Sequence, residues 1–262
     1  MHRERLAFVG GGRIVRIMLG GWRNAGCLPD DLAIVEPDAG IAQQLQAAFP
    51  SIRLCGGLSD AVQNATIVFL AVHPPQLLSM AENVAPLLRP GTLVVSLAPK
   101  ITLVQLDAYL PKNCPRCRVL PNAPAIFGQG FNPIAVAEGW HEADQTRIEA
   151  LMGPLGDHPV VPEEHLEAYA IVTALGPTYF WFQWQLLEEL GQQFGLSAEM
   201  TRHGLAQTLR GAASTYFDAG LTPDEVQQLI PVQPLREHAP AIAQYYRDSL
   251  AAMHQKIQPQ RP

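Results

Sequence analysis

The feature that most limits what this chain can fold into lies near its start. In "RLAFVGGGRIVRIMLGGW" (5–22), an apolar run breaks on three consecutive glycines, Gly10-Gly11-Gly12, and reopens with apolar residues at helical spacing. A β-rich run that ends on glycine and turns into a helix is the entry to a βαβ unit, whose strands are buried on both faces. The same alternation continues. Strand-like runs follow at "DLAIVE" (31–36), "SIRLC" (51–55), "ATIVFLAV" (65–72), "GTLVVSL" (91–97) and "CRVLP" (117–121), with weaker ones at "PIAVAE" (133–138) and "DHPVVP" (157–162). Helical stretches such as 41–49 and 75–88 separate the early ones. The pattern predicts an α/β fold with a parallel sheet covered on two sides.

After about Glu163 the strand signal stops. Residues 163–174, 177–194, 197–218, 223–230 and 236–256 read as helices, with Gly195 and Gly220 as breaks and Ser197 and Thr222 as N-caps. The expected division is an α/β domain over 1–160 and an all-α domain over 161–262, ending in a frayed "QPQRP" tail.

Composition narrows the function classes. The net charge of −6 and the absence of a basic patch argue against a nucleic-acid partner. No apolar run reaches the roughly 18 residues of a membrane helix. Arg13 and Arg16 interrupt the only candidate signal core, so a cytoplasmic protein is expected. The cysteines are Cys27, Cys55, Cys114 and Cys117. "CPRC" (114–117) has the spacing of a redox pair or half a zinc site. It has no second ligand pair, and it precedes a strand instead of following one. It reads as an incidental reduced pair, and no metal is expected.

The glycine run has the form of a dinucleotide-binding loop. Gly10 permits the tight turn, and Gly12 lets the backbone approach a pyrophosphate drawn to the helix N-terminus. Gly11, Arg13 and Ile14 complete the loop. The third position of the fingerprint is Val15, larger than the usual Gly or Ala, which asks for looser packing of helix on strand or a shifted helix. Glu36 closes the next strand. Its carboxylate can accept from ribose hydroxyls and opposes a 2′-phosphate, and no Lys or Arg lies between it and Arg53. NADH is therefore the expected cofactor, with NADPH as the alternative. Ala71, Val72, His73 and Pro74 follow the fourth strand, at the sheet edge where such folds bind ligands. His73 either reaches a phosphate or the nicotinamide, or is a solvated loop residue.

Several segments taken together resemble the pyrroline-5-carboxylate reductase family: "FVGGGRIVRIMLGG" (8–21), "AVHPPQ" (71–76), "VVSLAPKITLVQL" (94–106), "RVLPNAPAIFGQG" (118–130), "EEHLEAYAIVTALGPTYFWF" (163–182) and "AQTLRGAA" (206–213). The resemblance implies a Rossmann-type domain followed by a helical dimerisation domain. It also implies transfer of a hydride from NAD(P)H to the C=N carbon of a cyclic imine. Five aromatics, Tyr179, Phe180, Trp181, Phe182 and Trp184, cover more than one helix face, which suits pairing with a second copy. A core helix buried all round is the other reading.

The chain also departs from the family. His73 stands where the family usually has lysine, and Ala98-Pro99-Lys100 stands where it has a small turn ending in glycine. Asn122 matches the family's asparagine and is the candidate for orienting nicotinamide or substrate, or else a turn residue. Its neighbour Ala123 replaces a threonine. Thr173-Ala174-Leu175 replaces a Ser-Gly-Ser stretch. The family's Ser-Pro-Gly-Gly-Thr-Thr loop, which holds the substrate carboxylate, becomes "QLIPVQPLREHAP" (228–240), without Gly, Ser or Thr. Lys100, Thr173, Leu175 and Arg236 are the remaining candidates for contacting substrate, Arg236 either pairing with a carboxylate or lying solvated. Two readings follow: an NAD(P)H-dependent reductase of a cyclic imine, or a non-catalytic nucleotide-binding dimeric relative with a regulatory or interaction role.

Overall fold

The computed structural model describes residues 4–259, so residues 1–3 and the end of the expected tail, 260–262, lie outside the described residues. The chain divides into one compact unit over Met1–Leu175 and Met253–Pro262 and a second over Gly176–Ala252. The helical residues 163–175 belong to the sheet-bearing unit.

In that first unit the order is β1 (Leu6–Val9), α1 (Arg13–Asn24), β2 (Leu32–Val35), α2 (Ala39–Ala48), β3 (Arg53–Leu54), α3 (Leu58–Val62), β4 (Ile67–Leu70), α4 (Pro74–Val84), β5 (Leu93–Ser96), α5 (Leu103–Asp107), β6 (Arg116–Val119), β7 (Gly130–Phe131), β8 (Ile134–Val136), α6 (Glu142–Met152), β9 (Gly156–Asp157) and α7 (Leu166–Tyr169). Seven strands form one sheet in the order β3-β2-β1-β4-β5-β6-β8. Every pair in it is parallel except β6 with β8. β7 and β9, two residues each, pair separately.

Strand alternation explains the two cores. Leu6, Phe8, Ile34, Phe69 and Val95 face one side, where Val15, Met18, Leu19 and Trp22 of α1 cover them. Ala7, Val9, Val68, Leu70 and Val94 face the other, under Leu77, Ala81 and Val84 of α4. Phe8 and Phe69 stack at 4.4 Å. Val15 is fully buried in the first core. The close approaches of α1 come later in the helix. A Cβ on Gly21 would lie 2.4 Å from the Ala125 carbonyl oxygen, and one on Gly20 would lie 2.8 Å from Ile126. That contact seats the 3₁₀ turn Ala123–Phe127 beside the sheet.

The second unit holds α8 (Thr178–Gln193), α9 (Ala198–Asp218), α10 (Pro223–Gln228) and most of α11 (Ala239–Ile257). The Ser197 hydroxyl accepts from the Met200 N–H, and Thr222 forms a reciprocal cap with Glu225. Gly195 and Gly220 adopt φ of 96° and 69°, the left-handed values that end a helix. Helices α8 and α9 meet at Gly191, where a Cβ would come within 2.4 Å of Thr201. Among the described residues, no apolar side chain between Gly176 and Ala252 reaches full burial.

Candidate active site

The carboxyl ends of β1 and β4 lie side by side, Val9 opposite Leu70. From β1 the chain proceeds outward to β2 and β3 in one direction, and from β4 to β5 and β6 in the other. A crevice opens at such a switch point because consecutive loops leave in opposite directions. Here it is a cleft of about 470 Å³ lined by Gly12, Arg13, Ile14, Ala71, Val72, His73 and Pro74, and also by Arg16, Ile41, Leu97, Ala98 and Pro99.

The glycine loop fits a pyrophosphate. Gly10 has φ of 98°, and a Cβ there would lie 2.6 Å from the Ala71 carbonyl oxygen, so β1 turns away from the end of β4 only with glycine. Gly12 faces open space: a Cβ there would meet nothing within 4 Å. Gly12 is also the N-cap of α1, and no side chain caps that helix. Its first amides are thus left for an anion.

Glu36 closes the other side of the loop. One carboxylate oxygen accepts from the Gly11 N–H at 2.7 Å and the other from the Asp38 N–H at 2.9 Å. These bonds fix the half-buried carboxylate beside Gly11, one residue before the cleft-lining Gly12, and each oxygen keeps a lone pair for a hydroxyl. Asp38 in turn caps α2 by accepting from the Ile41 N–H at 2.9 Å, which seats Ile41 in the cleft wall. Counting cations after Glu36 along the sequence misses Arg16. It comes from α1, donates to Gln44 Oε1 at 3.1 Å, and lines the same cleft. His73, exposed, is the N-cap of α4, ahead of Pro74 at the first helical position.

A second cluster lies along β6. Asn122 is 7 % exposed, and its amide makes two hydrogen bonds: Nδ2 donates to the Thr173 carbonyl at 3.2 Å and Oδ1 accepts from the Phe131 N–H at 3.1 Å. Thr173 and Leu175 belong to a stretch in which residues 170–174 form a π-helix, and the Leu175 N–H reaches back to Ala170 O at 3.0 Å. The Thr173 hydroxyl donates to the Tyr169 carbonyl at 2.7 Å. Lys100 has φ of 75°, the only positive value at a non-glycine among the described residues. This is the left-handed backbone conformation, which glycine adopts without strain and lysine does not. Arg236 lies in the other unit, exposed in the turn between α10 and α11.

Leu97, Ala98 and Pro99 were legible as the continuation of β5 past its carboxyl edge. Arg118 is legible as the one charge in the run "CRVLP" (117–121), and Glu163 and Glu167 as carboxylates one helical turn apart. In the structure these three charges pair in the interior. Cys114 and Cys117 are buried, and burial pushes both thiols up, away from the thiolate form that reacts.

The family described as "NADP oxidoreductase coenzyme F420-dependent" matches residues 5–100. Pyrroline-5-carboxylate reductase of Pseudomonas aeruginosa is 28% identical over 231 residues, which cover 88% of this chain and 84% of that protein. The fold is that of Plasmodium falciparum pyrroline carboxylate reductase, solved with NADP bound. That structure aligns at a TM-score of 0.83 and 19% identity over 98% of both chains. Pyrroline-5-carboxylate reductase of Mycobacterium tuberculosis is 31% identical over 220 residues, spanning 82% of this chain and 74% of that one. With an intact glycine loop, a carboxylate at the end of β2 and likeness of this extent across both halves, the chain belongs to the pyrroline-5-carboxylate reductase family.

Proposed function

We propose that this protein reduces the C=N bond of a cyclic imine, pyrroline-5-carboxylate or a close relative, at the expense of NAD(P)H, with NADH preferred. The observation that carries this reading is the cleft at the β1/β4 switch, with open space over Gly12, uncapped amides on α1 and Glu36 fixed on the neighbouring Gly11 amide. Gly10–Ile14 would hold the pyrophosphate, assisted by the positive charge of Arg13. Glu36 would receive the adenosine ribose, and Ala71–Pro74 with Leu97–Pro99 would flank the nicotinamide. When bound, the dinucleotide supplies a hydride to the imine carbon. The chain's own task is to fix geometry and exclude water, because a protonated C=N is already electrophilic. The π electron pair returns to nitrogen, giving the amine. Asn122 serves this by bracing Thr173 against the Phe131 strand.

The substrate carboxylate is the point of divergence. Between Leu229 and Arg236, Pro231 and Pro234 donate no N–H. Each lost bond to a charged group is worth about 1.5–3 kcal/mol, so losing two weakens binding by roughly a hundredfold or more. A high Michaelis constant for pyrroline-5-carboxylate is expected unless Lys100 or Arg236 replaces the lost donors.

A homodimer through the helical unit is part of the proposal. Phe180, Trp181 and Phe182 are 46, 48 and 64% exposed, and Leu186, Leu187, Phe194 and Phe217 are exposed with them. A helical unit without one fully buried apolar side chain leaves more apolar surface than a stable monomer shows. Among the described residues, no helix is long and apolar enough to cross a membrane. The four free cysteines suit a reducing compartment, and we place the protein in the cytoplasm.

The deciding experiment is NADH oxidation, followed by absorbance, with a panel of cyclic imines that includes pyrroline-5-carboxylate. Turnover of at least one is expected. Dinucleotide binding without turnover of any would favour a non-catalytic relative.

A further inference from the structure

The interior of the first unit carries a charge cluster that the reading above leaves unused. Arg118 of β6 is fully buried and donates to two carboxylates, Nη1 to Glu163 Oε1 at 2.9 Å and Nη2 to Glu167 Oε1 at 2.5 Å. Each of the same two oxygens also accepts a backbone N–H from one short loop. Glu167 takes the Lys100 N–H at 3.1 Å, and Glu163 takes the Leu103 N–H at 2.7 Å. The loop is thus held at both ends by one buried guanidinium acting through two carboxylates. Its upstream residues Leu97, Ala98 and Pro99 are cleft wall, and Lys100 is the one non-glycine held at positive φ among the described residues. A lysine in that conformation is strained, so something must hold it there. The Glu167 side chain, 2% exposed, bonds the amide at that residue.

We infer that Glu167 is a positioning residue. Fixed by Arg118, it holds the left-handed turn at Lys100 and thereby sets the Leu97–Pro99 wall of the cleft. This rests on the reading of the cleft as a dinucleotide site. A buried ion pair is weak evidence for stability in itself, because desolvation offsets attraction, and its better-attested use is to specify one conformation. Here the conformation specified is a strained turn at the edge of a binding cleft.

The test compares full-length wild type, Glu167→Ala, Glu167→Gln, and Glu167→Ala combined with Lys100→Gly. Amide hydrogen exchange is measured on the ligand-free proteins, and NADH dissociation constants by titration. Glu167→Ala should speed exchange of the Lys100 amide at least about tenfold, while amides of β1 and β4 stay within roughly twofold. It should raise the NADH dissociation constant about tenfold, a loss of roughly 1.4 kcal/mol. Glu167→Gln keeps an acceptor oxygen and should fall between. Lys100→Gly, in the Glu167→Ala background, adopts positive φ without strain and should recover a large part of the lost affinity, leaving the melting temperature as low as in the single variant. A purely structural role for Glu167 would not be relieved by a glycine at Lys100.

NADH binding that is unchanged in Glu167→Ala, or a loss that Lys100→Gly does not relieve, overturns the inference. If Glu167→Ala fails to fold, Glu167→Gln with and without Lys100→Gly gives the same readouts. A wild type that binds neither NADH nor NADPH overturns the reading of the cleft instead. The exchange rates at Lys100 and Leu103 then still report whether the clamp exists.

Discussion

Replacing Glu36 with glutamine separates two effects that the structure predicts for this carboxylate. The first is cofactor choice. Two unit charges about 4 Å apart at an effective dielectric near 20 repel by on the order of 4 kcal/mol. Glu36 is only half-buried, and Arg13 and Arg16 line the cleft, so most of that repulsion of a 2′-phosphate is screened or offset. If about a quarter survives, the remainder is roughly 1 kcal/mol, or about a fivefold preference for NADH over NADPH. Glu36→Gln removes the charge and should bring the two dissociation constants to within about twofold. The second effect is on the loop itself. Glutamine has one acceptor oxygen where the carboxylate had two, so either the Gly11 or the Asp38 N–H loses its partner. A general weakening of both cofactors by roughly 1 kcal/mol should accompany the change in ratio. Calorimetric titration of both dinucleotides into wild type and variant reads the two effects separately. Tighter NADPH binding by wild type, or a ratio that Glu36→Gln leaves unmoved, would refute the argument and place the adenosine ribose away from Glu36.

Four further outcomes follow from particular contacts. Arg118→Met should cost about 3–5 kcal/mol in urea unfolding, because Glu167 is left buried without its counter-charge. Phe182→Glu, placing a charge on the exposed aromatic stretch, should weaken self-association at least about thirtyfold, read by sedimentation velocity at micromolar concentration. At low pH, stability should depend on Glu4. Burial alone would raise its carboxyl, but hydrogen bonds from Arg147 and Thr66 outweigh that and hold it below the ordinary glutamate range. The group is thus depressed on folding, its contribution is present at neutral pH, and it fades as pH falls through about 4 and below; Arg147→Ala should flatten that part of the stability profile. Finally, if pyrroline-5-carboxylate proves a good substrate, Lys100→Ala and Arg236→Ala identify the rebuilt carboxylate contact by whichever raises the Michaelis constant. A low constant that neither change moves would refute our account of the carboxylate site.

Much of this protein is written in local pattern. Parallel strands buried on both faces must be apolar almost throughout, so "LAFV", "IVFL" and "LVVS" declare themselves, and their alternation with helices leaves little choice of fold class. Gly10 is legible because only a residue without Cβ can pass the Ala71 carbonyl at positive φ, and Glu36 because the strand before it ends where ribose hydroxyls would lie. The caps at Ser197 and Thr222 are equally local, each a hydroxyl three residues from the amide it accepts. What local pattern does not carry is which distant groups meet. Arg16 faces the cleft from α1 because of helix phase. Asn122 braces Thr173 because Gly20 and Gly21 let the 3₁₀ turn beside it sit close on α1. Lys100 keeps a glycine's conformation because a carboxylate 67 positions away in the chain bonds its amide, and that carboxylate is itself held by an arginine on β6. Such bonds form between groups far apart in the chain, through burial and charge pairing, and only the folded chain brings them within hydrogen-bond reach.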